Sequence, residues 1–227
     1  ERLQKKLSIE LAKLFLPKTK SNKTYQVVSV FREWNNFDLF ISFLETETYE
    51  ELKEDKAGKY FLDSLYEANK NLSFKELSKA VETEFDETTL KDKIKKFGEH
   101  CRFVVVENKF KSIPDQEQLD EYYEKVKNEI GFIIGVGKNK SKGYSNVFVT
   151  TKNITFYLLA PEYSIDVFKE SQKINKPKKP ENIKWNTISY EKICEELEQI
   201  LTKNKTENEF AYQYVEQYKN LIEQLYG

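Results

Sequence analysis

Residues 103–110 read FVVVENKF. The apolar run suits a buried strand, and it ends in a carboxylate and an ammonium two residues apart. On a strand, residues i and i+2 share a face. Glu107 and Lys109 therefore project together, with Phe103 and Val105 before them, and Asn108 points the other way. Such a pair is either a solvated ion pair at a strand end or part of a hydrolytic site. The second reading needs another carboxylate. The segment FGEHCR lies between LKDKIKK and FVVVENK and reads as a tight connection containing Gly98. A hairpin tip between Glu99 and His100 sets residue 92 opposite residue 107. Facing Cβ atoms in an antiparallel pair lie about 4.5–5.5 Å apart, so Asp92 and Glu107 would be bridged by one divalent ion. Two carboxylates that close repel unless a cation or proton joins them. Their hard oxygens favour Mg²⁺ or Mn²⁺. Lys109 beside them would orient a water and stabilise charge building on a phosphate. That is the chemistry of metal-assisted phosphodiester hydrolysis.

The elements that must position these groups follow from the hydrophobic pattern. Residues 1–16 carry Leu3, Leu7, Leu11 and Leu14 at helical spacing, ended by Pro17. Residues 35–55 (NNFDLFISFLETETYEELKED) and 56–71 read as two further helices, and 72–80 as a fourth with Ser73 as N-cap and Glu76 three residues on. The runs 80–85, 88–97 and 102–110 read as three short strands. Residues 115–128 are predicted helical, 146–151 and 153–161 extended, and 185–201 and 209–226 helical. This order predicts one α/β domain over 1–227: a mainly helical part at 1–80, a catalytic sheet core at 81–161 and C-terminal helices at 162–227.

Composition narrows the function classes. Hydrophobic residues are 39% of the 227, enough for a sizeable core. The net charge of -1 gives no global attraction to nucleic acid, so any such surface is a local patch. One such patch is the loop GVGKNKSKG at 135–143. It lacks the glycine spacing of a phosphate loop, and reads either as a flexible basic loop or as Lys138, Lys140 and Lys142 on nucleic-acid phosphates. KPKKP at 176–180 has the same two readings. Phe210, Tyr212, Tyr214, Tyr218 and Tyr226 stand at spacings that suit helix packing better than base stacking. With two cysteines, Cys101 and Cys194, and one histidine, His100, the chain has too few ligands for a His/Cys zinc site. The cysteine usage fits a reducing, cytoplasmic setting. No apolar stretch approaches the ~20 residues of a membrane span. The absence of methionine leaves a trimmed start and a removed leader open.

The segment VVVENKFKSIPDQEQLDEYYEKV resembles the PD-(D/E)XK nuclease superfamily. It is similar to a bacterial branch in which an E-N-K strand precedes a helix carrying Q-L-x-x-Y-Y, matched here by Gln118, Leu119, Tyr122 and Tyr123. WNTISYEKICEEL resembles that branch's W-x-x-[IL]-S-Y-x-x-I segment, and ITFYLLAPEY its next core strand. NNFDLFISFL and GKYFLDSL resemble its N-terminal helices. The resemblance implies a restriction-endonuclease-like fold, a mixed central sheet flanked by helices with a helical N-terminal part. It implies that Asp92 and Glu107 hold Mg²⁺ or Mn²⁺ with the Asn108 carbonyl, and that Lys109 positions the attacking water. It further implies that Glu84, or Glu82 in its place, adds an acidic group, and that Gln118 orients the site or a phosphate. In this chain KDKIKK is lysine-rich where the family shows an apolar strand. Pro114-Asp115 follows the Glu-x-Lys instead of preceding it. Asp38, in FDLFI, is read as a helix surface or cap residue. The implied activity is a Mg²⁺-dependent nuclease on DNA in restriction or defence, as a homodimer or with partner defence proteins. A non-catalytic nucleic-acid-binding or assembly subunit of the same fold is the alternative, and an RNA-processing nuclease a third.

Overall fold

A computed structural model describes residues 9–16, 23–34, 37–67, 96–109, 153–174 and 185–204, with positions 118–119, 121–122, 213, 216–217, 219–221 and 224. Five strands form one sheet in the order β1 (Tyr25–Trp34), β2 (Phe37–Glu45), β3 (Cys101–Asn108), β4 (Ile154–Ala160) and β5 (Trp185–Ser189). Helices α1 (Thr46–Glu54) and α2 (Lys56–Glu67) follow β2, α3 (Glu162–Ile174) follows β4, and α4 (Tyr190–Asn204) follows β5. Residues 9–14 are also helical, as expected.

The sheet is mixed. β1 and β2 pair antiparallel from Tyr25 opposite Glu45 to Trp34 opposite Phe37. The Glu45 N–H donates to the His100 carbonyl at 3.3 Å, and Phe40 stacks on Phe103 at 5.9 Å between ring centroids. One index rises as the other falls, so β2 and β3 are antiparallel. On the other side of β3 both indices rise together. The Asn153 amide donates to the carbonyls of Gly98 and Cys101, and the Lys109 N–H to Leu159. β4 and β5 pair parallel from Phe156–Trp185 to Ala160–Ser189. A mixed sheet flanked by helices is the predicted fold class.

Three local expectations are corrected. Residues 37–45 form a strand, and helix starts only at Thr46. The run Phe37, Leu39 to Ile41, Phe43 and Leu44 is almost continuously apolar, which a strand buried on both faces shares with a buried helix. With β1 before it, this strand puts a hairpin inside the part expected to be mainly helical. Residues 185–189 likewise form β5, and the helix begins at Tyr190, where the Ser189 Oγ accepts the Lys192 N–H as an N-cap. The proposed hairpin before β3 is not found: residues 96–99 are helical, and the neighbours of β3 are β2 and β4.

The chain divides into two compact units, Pro17–Val105 with Glu117–Thr155, and Glu1–Leu16 with Val106–Gln116 and Phe156–Gly227. The first is built on Phe40, Ile41, Phe43, Leu44, Leu52, Phe61, Phe103 and Val105, all at most 1% exposed. Its helices α1 and α2 meet closely at Gly58, where an added Cβ would lie 2.5 Å from the Leu52 carbonyl oxygen, and Asp55 caps α2 through the Gly58 N–H. In the second, Phe15 meets Tyr157 edge-on, Phe156 packs on Trp185, and Phe168, Cys194 and Leu197 are buried. Among the described residues no helix is long and apolar enough to cross a membrane.

In the first unit the base of the sheet is held by a charge cluster. Glu45 accepts Lys23 Nζ at 2.7 Å and lies 3.0 Å from His100 Nδ1. Burial alone would raise the Glu45 pKa, but the hydrogen bonds from Lys23 and His100, with their charges, hold it below the usual carboxylate value. A lowered folded pKa adds stability above the unfolded value near ~4.3, and that stability is lost as pH falls through the folded one. Glu45→Gln is therefore expected to cost about 1–2 kcal/mol at pH 7. In urea titrations its deficit against wild type should shrink as the pH is lowered toward 3, whereas a constant deficit would refute the linkage.

Candidate active site

β3 ends where the sequence placed its charge pair. Phe103 to Val106 are buried, and Glu107 remains only 4% exposed. Lys109 Nζ lies 2.7 Å from Glu107 Oε1, with the lysine side chain 22% exposed. A carboxylate this buried loses most of its hydration, so a cation at contact distance is the condition for its remaining charged. The expected shared face of Glu107 and Lys109 is observed as a direct ion pair.

The backbone at this strand end is held from β4. The Lys109 N–H donates to the Leu159 carbonyl at 2.8 Å. The Asn108–Lys109 peptide is trans, so its carbonyl points opposite to that N–H, away from β4. The Asn108 side chain, alternating to the other face, accepts a hydrogen bond from the Tyr190 hydroxyl. Tyr190 is the first residue of α4, is 7% exposed and packs with Cys194 and Leu159. Glu107 and Lys109 thus stand on one face while Asn108 is gripped on the other. Sequence analysis gave Tyr190 no role. The signal was its place in the quoted WNTISY segment, one residue after the end of a strand.

Gln118 and Leu119 are helical, as are Glu121 and Tyr122; Leu119 is 1% exposed and Gln118 is exposed. Tyr122 meets the Phe37 ring edge-on at 5.3 Å, which brings this helix to the start of β2 beside the exposed Asp38. Asp38 is a strand residue, not the helix surface or cap expected. Asp92, Glu84 and Glu82 lie outside the described residues, as do Lys138, Lys140 and Lys142.

A family model, the PD-(D/E)XK nuclease superfamily, matches residues 5–220. The chain belongs to the PD-(D/E)XK nuclease superfamily. No curated protein and no solved structure gives a significant match. Membership of this superfamily supports a nuclease-type function and a nucleic-acid substrate. Its nucleases typically use divalent metals. The Glu107 carboxylate and the Asn108 carbonyl fit such an ion in kind, being hard oxygen donors. Among the described residues no three His, Cys, Asp or Glu side chains gather as a metal set.

The ion pair makes a prediction for stability in this PD-(D/E)XK chain. Lys109→Ala leaves Glu107 buried without its ammonium and should cost about 1–3 kcal/mol. Glu107→Gln combined with Lys109→Ala should recover part of that loss in denaturant titrations. A double variant no more stable than Lys109→Ala alone would contradict this.

Proposed function

We propose that the protein is a metal-dependent nuclease that hydrolyses phosphodiester bonds in DNA, in restriction or defence against foreign DNA. The observation that carries this is the buried Glu107–Lys109 pair closing the central strand of a PD-(D/E)XK chain. Glu107 and the Asn108 carbonyl would hold Mg²⁺ or Mn²⁺. When bound, that ion supplies positive charge against the phosphate oxygens. Lys109 holds and orients the attacking water with its ammonium and offers a proton donor to the charge building on the phosphate. Gln118 contributes an amide that orients the site or a phosphate.

For the second carboxylate Asp92 remains the candidate that the superfamily resemblance supplies, without the hairpin argument, because β2 and β4 are the neighbours of β3. Glu84 remains a candidate for a further acidic group, and Lys138, Lys140 and Lys142 for phosphate contacts.

Purified protein should cleave DNA with Mg²⁺ or Mn²⁺. Lys109→Ala, Glu107→Ala and Asp92→Ala should each lower cleavage by about 10²-fold or more while circular dichroism shows the fold retained. Near wild-type cleavage in Asp92→Ala would remove Asp92 from the site. Cleavage of RNA alone would replace the substrate. Absence of metal-dependent cleavage of either nucleic acid, with binding that survives Glu107→Ala, would establish the non-catalytic alternative.

A further inference from the structure

The hydrogen bond from Tyr190 to Asn108 joins two parts of the chain that the proposed chemistry otherwise leaves unrelated. Asn108 separates the two charged residues of the site. Its peptide with Lys109 carries the N–H that binds Leu159 and the carbonyl that points away from β4. Rotation of that peptide would turn the carbonyl and swing Lys109 away from Glu107 together. On the β4 side the hydrogen bond from the Lys109 N–H to Leu159 resists the rotation. The Asn108 side chain provides a second anchor. It is held by a phenol that is itself fixed: Tyr190 is 7% exposed, packs on Leu159 and Cys194, and begins a helix whose first turn is capped by Ser189. β5, which delivers Tyr190, is registered on β4 residue by residue from Phe156–Trp185 to Ala160–Ser189. The phenol and the Leu159 carbonyl therefore belong to one rigid piece, and both hold the same residue pair.

We infer that Tyr190 is a positioning residue: it sets the Asn108–Lys109 peptide from the opposite face of β3, and so fixes the Asn108 carbonyl and the Lys109 ammonium relative to Glu107. The grip stands on the geometry alone, whereas its effect on cleavage rests on the nuclease reading above. Side chains in a site act well only when held near their productive geometry, and a displacement of about 1 Å costs on the order of 10²-fold in rate. The phenol touches neither the water nor the phosphate in this account, so removing it should alter the rate of the chemical step and leave substrate binding nearly intact.

The test uses the full chain and two readouts. Removal of the hydroxyl in Tyr190→Phe deletes one hydrogen bond, and the Lys109 amide should exchange its hydrogen about tenfold faster, with or without Mn²⁺. Cleavage of a DNA duplex with Mn²⁺ should show kcat about tenfold lower or worse and KM within about twofold. Asn108→Ala keeps the backbone carbonyl and Tyr190 in place, and should give the same two changes. The double variant should be no worse than either single one, because both act through one bond. Leu197→Ala, a buried position of α4 remote from Asn108, should lower the melting temperature without changing kcat in the folded protein. Should Tyr190→Phe fail to fold, Asn108→Ala alone decides. Unchanged Lys109 amide exchange would overturn the grip. Faster exchange with unchanged kcat in a wild type that cleaves would overturn the positioning role. A wild type that cleaves nothing with metal would sink the nuclease reading, and the exchange measurement would still decide the grip.

Discussion

Taking a carboxylate out of water costs several kcal/mol unless a cation and hydrogen bonds replace its hydration. Glu107 is buried at the end of an apolar strand, and the ammonium of Lys109, 2.7 Å from its Oε1, supplies the cation. The pairing also fixes where the two residues stand: on one face, two positions apart, at the end of a strand. Much of the surrounding structure serves that requirement.

β3 is held from both sides by different kinds of neighbour. An antiparallel partner, β2, lies on one side, and the parallel β4 and β5 on the other. Antiparallel neighbours can be joined by a short turn, as β1 and β2 are, whereas parallel ones need a crossover, as β4 and β5 have through α3. β4 is tied to β3 at both ends, through Asn153 near Gly98 and Cys101 and through Leu159 at Lys109.

The legibility of this structure in its sequence divides along a physical line. β3 and its charge pair depend on alternation, which is local, and both were readable from FVVVENKF. The superfamily was readable from ENK and the QLDEYY helix. β2 was not, because FDLFISFL is apolar at nearly every position and runs without a break into the amphipathic TETYEELKE. The two together imitate one long helix. Asn35-Asn36, residues that tolerate the backbone of a tight turn, stood before it as the available warning. The strand WNTIS was hidden in the same way by the strongly helical segment after it. The partner of β3 could not be read at all, since strand neighbours depend on contacts far apart in the chain. Arithmetic on a supposed turn put Asp92 opposite Glu107, but the strand neighbours of β3 are β2 and β4, so no turn directly before β3 forms that pair.

The closure at Glu45 and His100 bears on the long connection between β2 and β3. The chain leaves β2 at Glu45 and re-enters β3 after His100, and at that gate the two are joined by a backbone hydrogen bond and by the carboxylate–imidazole contact. Both ends of everything between them are fixed at one spot. Loop-closure entropy grows slowly, by about 0.6 kcal/mol for each doubling of length. The entropic cost of closing the excursion over residues 46–99 therefore depends only weakly on its length, whereas Leu52 and Phe61 within it belong to the buried core.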